Sequence, residues 1–264
     1  MIQKEFADKA TAILKNDTNV IGLAVAGSWL TDEIDAFSDL DLILVTKEKV
    51  AGDKNKMLHY AKSLGHLLSG FTGEHVGEPR VLICLYENPL LHVDIKFLVL
   101  DEFRQRIETP FILFDTDGQL KKNLEETVPV FPYPDYQWIE DRFWIWVHYV
   151  LLKIGRGEYM EALDCFGFLR MVVFGPLLHI KNGNLPRAVR KVETQLATAD
   201  FEQLKATIPI YSKSSLLDSL QNSIALYRNL RNELYPNDIV ISSATEKKVM
   251  EYFEEIKASN TNTI

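Results

Sequence analysis

Gly27-Ser28-Trp29-Leu30-Thr31-Asp32-Glu33-Ile34-Asp35-Ala36-Phe37-Ser38-Asp39-Leu40-Asp41-Leu42-Ile43-Leu44-Val45 is the stretch on which the reading of this chain turns. From Leu40 to Val45 the only polar residue is Asp41, and the run is short and bounded by turn-forming residues, so it predicts a strand buried on both faces. Side chains alternate along a strand, which sends Asp39 and Asp41 to the same side. Two like charges at the entrance of an apolar strand repel each other and lose hydration unless something positive holds them, and a divalent cation is the simplest partner. Acids are also common at strand entrances as plain surface residues. The weight shifts with Gly27-Ser28, which closes a second apolar run, Val20 to Ala26, ten residues before Ser38. Glycine lets the backbone approach a phosphate, while a serine hydroxyl and adjacent amides hold its oxygens.

A third piece lies downstream in His92-Val93-Asp94-Ile95-Lys96-Phe97. Here Val93, Ile95 and Phe97 share one face and His92, Asp94 and Lys96 the other, so one face packs and the other is charged. Asp94 would complete a site of three carboxylates.

Working outward, the spacing of Phe6, Ala10, Ile13 and Leu14 predicts a helix over 3–15, and 57–68 reads as another, followed by a Gly-rich loop over 69–73. Strands are expected at 81–86 and 91–100, joined as a hairpin, then a short helix over 101–107 and a strand at 111–114. Three prolines in Val128-Pro129-Val130-Phe131-Pro132-Tyr133-Pro134-Asp135 suit an extended connector. Beyond it only 3.6-residue periodicity continues, over 136–154, 158–181, 185–197, 200–207, 214–234 and 244–257. The small, polar tail from Ala258 to Ile264 reads as frayed. Two domains follow from this, 1–130 with mixed α/β content and 131–264 all helical.

Residues 27–45 and 92–97 together resemble the motif of the nucleotidyltransferase superfamily that includes the aminoglycoside and lincosamide nucleotidyltransferases. Its members have Gly-Ser, a spacer, Ser-Asp-x-Asp leading into a hydrophobic strand, and a third carboxylate on a later strand. The resemblance implies an α+β fold, with an N-terminal nucleotidyltransferase-type mixed sheet flanked by helices and then a helical bundle that binds substrate. It implies that Asp39 and Asp41 ligate Mg²⁺, that Gly27, Ser28 and Ser38 serve the nucleotide phosphates, and that Asp94 is the third, catalytic carboxylate and metal ligand. Lys96, beside Asp94, is a further candidate for the phosphates or a simple partner of Asp94. Many members have Gly where this chain has Asp32, a residue that also tolerates left-handed geometry.

The implied activity moves a nucleoside monophosphate, AMP from ATP, to a hydroxyl of a small molecule, with an aminoglycoside or lincosamide antibiotic as the suggested acceptor and antibiotic resistance as the outcome. The alternative is a non-catalytic or toxin/antitoxin-like interaction protein on the same fold. Arg228-Asn229 and Arg231-Asn232 are similar to nuclease-like helical partners in such systems, but no histidine follows position 180. Glu158 and Glu161 compete with Asp94 for the role of general base. The ring-rich segment holding Trp138, Phe143, Trp144, Trp146 and Tyr149 would pack a core or stack on a ligand.

Composition bounds these expectations. The chain has 264 residues, 47% of them apolar and 25% charged, which fits an ordinary globular protein. A formal net charge of −8 argues against non-specific binding to long nucleic acids and suits a cationic acceptor. No sequence run reaches the ~20 apolar residues of a membrane span, and the N-terminal segment lacks the apolar core of a signal peptide. Cys84 and Cys165 stand apart from any CxxC or Cys/His cluster and read as free thiols. A cytoplasmic protein, monomeric or homodimeric, is expected.

Overall fold

The computed structural model describes residues 1–31 and 33–259. Asp32 and the tail from Asn260 onward, about which the sequence raised expectations, lie outside the described residues. The chain divides into two compact units, Met1–Phe131 and Pro132–Ile264.

In the first unit, α1 (Ile2–Leu14) leads into β1 (Val20–Val25), all six of whose residues are buried. A single 3₁₀ turn over Gly27–Thr31 begins the connection to β2 (Leu40–Thr46). There follow α2 (Lys54–Leu64), β3 (Leu67–Gly73), β4 (Glu78–Tyr86), β5 (Leu91–Val99), α3 (Leu100–Phe103), β6 (Phe111–Asp115) and α4 (Gln119–Glu126). The strands form one mixed sheet in the order β3-β4-β5-β2-β1-β6, with β2 and β5 as its parallel pair and the other neighbours antiparallel.

Alternation along β2 and β5 decides how this sheet is covered. Leu42 and Leu44 on β2, with Val93, Ile95 and Phe97 on β5, join Ala7, Ala10 and Leu14 of α1 and Met57, Ala61 and Leu64 of α2 in one core. On the opposite face Val45 and Leu98, at the C-terminal ends of the two strands, pack with Phe103 of α3 and Leu120 of α4. Nearer the N-terminal ends, that second face carries Asp41 and Asp94, both only half-buried. The packing that seals the sheet therefore stops short of the acids.

Several elements differ from the sequence reading. The second helix ends at Leu64, and the stretch expected as a loop is strand β3, which pairs with β4 from the sheet edge. The helix expected over 101–107 is one turn, α3, and Gln119–Glu126 is a helix that the periodicity did not single out.

The second unit is helical: α5 (Tyr136–Arg156), α6 (Tyr159–Leu169), a π-helical segment Arg170–Phe174, α7 (Gly175–Lys181), α8 (Val192–Gln195), α9 (Thr198–Lys205), α10 (Lys213–Leu234) and α11 (Ser243–Ala258). The Asp135 carboxylate caps α5 by accepting the Trp138 amide at 3.0 Å, and Gly157, at φ 76°, ends it in the left-handed conformation that glycine adopts without cost. The helix expected over 185–197 shrinks to α8 because Ala188 and Lys191 take positive φ values of 51° and 57°. Phe143 stacks on Tyr227 with centroids 3.6 Å apart at the centre of the core.

The buried Glu140 accepts the Tyr227 hydroxyl at 2.6 Å and the Ser242 amide at 3.0 Å, and Arg231 reaches it at 3.4 Å. Arg228 and Arg231 each pair with Glu246, at 2.8 and 2.9 Å. The arginines of the Arg-Asn repeats are thus spent on tying α10 to α5 and α11. The continuous run Tyr159–Lys181, contrary to expectation, is long and apolar enough to cross a membrane by length and composition. Half of its most apolar 18-residue window is buried, with Phe166, Leu169, Val173, Phe174, Leu177 and Leu178 in the core of this unit.

Candidate active site

The register of the parallel pair sets the site. Asp41 on β2 and Asp94 on β5 are direct partners, so two carboxylates from strands far apart in sequence stand side by side on one face. Asp39, half-buried, precedes β2 by one residue, and its charge acts on Asp94. Burial pushes the Asp94 carboxyl above its ordinary range and the Asp39 charge adds to this, while a 2.9 Å hydrogen bond with His92 Nε2 pulls it back. His92, which alternation along the strand places on the same face, is thus the group that orients Asp94.

Gly27 is fixed by the acid opposite. Its φ is 64°, and a β-carbon there would lie 2.0 Å from Asp41 Oδ2. The glycine accordingly serves a left-handed backbone and gives room to a carboxylate at once. The backbone couples the same two strands, since the Ala26 amide donates to the Asp41 carbonyl at 3.0 Å. Ser28 follows, half-buried, its carbonyl accepting the Glu33 amide at 3.2 Å.

Three contacts were not legible in the sequence. The Gly27 amide donates to Glu108 Oε1 at 2.9 Å, which brings a fourth acid, from the α3–β6 loop, to the edge of the site. That loop is held by Arg106, which donates to the Leu124 carbonyl at 3.2 Å and to the Thr127 carbonyl and hydroxyl. The third is Gln3 of α1, buried, whose amide donates to the Asp35 and Ser38 carbonyls at 2.9 and 2.8 Å and so clamps the approach to β2. Within that approach, the Ser38 hydroxyl and Asp35 carboxylate bond each other at 3.0 Å, and the Phe37 and Ser38 contacts hold Asp35 below its ordinary range. Ser38 is therefore committed to shaping the turn. Phe37, at its tip, is 96% exposed.

Lys96 shares a strand face with Asp94 but turns to β4, pairing with Glu78 at 2.8 Å. Glu78 in turn takes two hydrogen bonds from Arg80, each 2.7 Å. Of the two roles expected for Lys96, the pair with Asp94 does not form, since the partner of Asp94 is His92. Glu158 and Glu161, the alternative bases, belong to the helical unit, where Lys153 holds them at 2.7 and 2.9 Å and Tyr149 donates its hydroxyl to Glu161.

The carboxylates gathered here are those of Asp39, Asp41 and Asp94, the last already paired with His92 at 2.9 Å. Among the described residues no group of three or more His, Cys, Asp or Glu side chains is placed to hold a metal ion. Mg²⁺ does not require such a group, since one or two carboxylates, as Asp39 and Asp41 would offer, are commonly completed by waters and phosphate oxygens.

No protein-family profile and no curated protein matches the chain. Among solved structures, an aminoglycoside 6-adenyltransferase from Bacillus subtilis aligns over 97% of this chain and 99% of its own, at 17% identity and a TM-score of 0.40. A nucleotidyltransferase-like protein from Exiguobacterium sibiricum 255-15 aligns over 97% of this chain and 89% of its own, at 9% identity and a TM-score of 0.33. At such scores the likeness defines no family, and the architecture described above stands on the sheet order and cores of this chain.

Proposed function

We propose that this protein is a metal-dependent nucleotidyltransferase that moves a nucleoside monophosphate, AMP from ATP, to a hydroxyl of a small molecule. The observation that carries the reading is the in-register pairing of Asp41 with Asp94 beside Asp39, on the part of the sheet face that α3 and α4 leave uncovered. Asp39 and Asp41 would hold Mg²⁺, which when bound neutralises charge on the triphosphate and fixes its orientation. Asp94 is suited to the acceptor: burial makes it more basic than an ordinary carboxylate, and the hydrogen bond from His92 orients it. In the step proposed, the acceptor hydroxyl gives its proton to Asp94 and its oxygen bonds to the α-phosphorus. The bond from that phosphorus to the bridging oxygen breaks, and pyrophosphate leaves.

The acceptor class is proposed from the net charge of −8, which favours a cationic molecule such as an amino sugar. The test is transfer of label from α-³²P-ATP to a panel of aminoglycosides and lincosamides, with Mg²⁺ present and then chelated. Metal-dependent labelling that disappears in Asp41→Asn supports the reading. Nucleotide binding with no transfer to any acceptor would instead leave a nucleotide-binding interaction protein.

A further inference from the structure

We propose that the cavity between α5 and α6 of the helical unit is a binding site for a small aromatic amine, its ring lying among Trp146, Tyr149, Val150 and Phe168 and its ammonium meeting Asp164 at the rim. The cavity holds about 240 Å³, below the ~300 Å³ at which pockets for drug-sized ligands begin, so it suits one ring with a short chain. Its rings are a connected set: Trp146 stands edge-on to Phe168 at 5.1 Å and to Trp138 at 5.5 Å. Tyr149 and Phe168 are 41% and 44% exposed, although burying such side chains elsewhere in this unit builds its core. Large aromatics left in water around a concave surface mark a place where something apolar lodges.

Charge selects the ligand further. Lys153 is spent on Glu158 and Glu161, and Arg156 reaches Glu158 at 3.6 Å. No ion pair among the described residues involves Asp164, so the rim keeps one negative charge in excess. That charge reaches the cavity wall: burial first, then Glu161 and Asp164, push the Cys165 thiol upward. Rings here already accept cations on their faces: Lys153 lies 5.0 Å from the centre of Tyr149 in the cavity wall, and Arg142 4.4 Å from the centre of Trp138, which adjoins Trp146 outside it. A polyhydroxylated sugar is a poorer occupant, because the Tyr149 hydroxyl is taken by Glu161 and, away from the carboxylates of Glu161 and Asp164, the walls of Trp146, Val150, Phe168 and Leu169 offer its hydroxyls few partners. The site is therefore distinct from one for an amino-sugar acceptor and needs no assumption about the reaction.

The experiment uses the full chain and two probes of matched shape, phenethylamine and 2-phenylethanol, followed by calorimetry and by the rate at which iodoacetamide alkylates Cys165. Cys165 lines the cavity, whereas the other cysteine, Cys84, is 1% exposed, so alkylation reports occupancy. The amine is expected to bind in the millimolar range, about 5-fold or more tighter than the alcohol, and to slow alkylation. Asp164→Asn should erase the preference while leaving the weak binding common to both probes, and Phe168→Ala should weaken both. Equal affinities for the two probes, no binding of either, a preference that survives Asp164→Asn, or alkylation unaffected by saturating amine would each overturn the proposal.

Discussion

A β-carbon on Gly27 and the carboxylate of Asp41 cannot occupy the space they would share, so the two identities are coupled. Gly27→Ala should unfold at lower denaturant and lose transfer, and Asp41→Ala should restore most of that stability, leaving ~1 kcal/mol for the left-handed backbone. Strictly additive unfolding free energies in the double variant would show that the contact does not matter. Asp94 behaves differently, because an acid raised by burial binds its proton more tightly folded than unfolded. Its ionisation therefore costs stability: the chain is favoured below the ordinary value of 3.8, and the advantage falls away as pH climbs to the raised value. Asp94→Asn should melt higher than the wild type at neutral pH, converge with it in acid, and lose ~10²-fold or more in turnover. A lower melting temperature at neutral pH would contradict the desolvation argument. Glu108 supplies a third residue-level test, since a phosphate oxygen reaching the Gly27 amide must displace its carboxylate. Glu108→Ala should tighten ATP binding several-fold by titration calorimetry, and weaker binding would make Glu108 a contributor instead. Alternation along one strand was enough to place Asp39 and Asp41 together, because that rule is local. The same rule put His92 on the face of Asp94, but Gln3 and Glu108 had no such pattern to betray them, since both act through contacts made by the tertiary fold.

At the scale of elements, β4 and β5 are tied by charge as well as by their ladder. Arg80, and then Lys96, hold Glu78 down to about 2 against the opposing effect of burial. An acid so depressed stabilises the fold above its ordinary value of 4.5, and the contribution is lost as pH falls toward 2. Glu78→Gln should accordingly unfold more easily than the wild type at neutral pH, with the gap closing across that window in acid-titrated melts. A constant gap would remove the ion cluster as its cause. Long elements with a clean period, such as β1, β2, α5 and α10, follow from the sequence because burial and pattern agree. Strand β3 does not, since Ser69-Gly70 and Thr72-Gly73 read as a loop and only pairing with β4 makes them a strand. Helix α8 failed for the opposite reason: the period was present, but backbone conformations at Ala188 and Lys191 cut it short.

For the whole molecule, each unit has buried cores of its own, and the prolines fall between them. Val128, Val130 and Tyr133 in the connector are 77%, 71% and 62% exposed. Dilute thermolysin or elastase should therefore cut first within 128–133, beside Val130, giving two fragments that keep their far-ultraviolet circular dichroism. Early cleavage inside either unit would count against independent cores. The parallel seat of β2 beside β5 also has a consequence in time. β4 and β5 meet through a tight turn, whereas joining Asp41 to Asp94 closes a loop of about fifty residues, an entropic cost on the order of 3 kcal/mol before any contact repays it. During synthesis, a chain that has not yet delivered Leu91 already carries Asp39 and Asp41 but has no strand to set beside them. The proposed chemistry therefore exists only once β5 has docked beside β2: until then the acids of β2 are present and the active face is not.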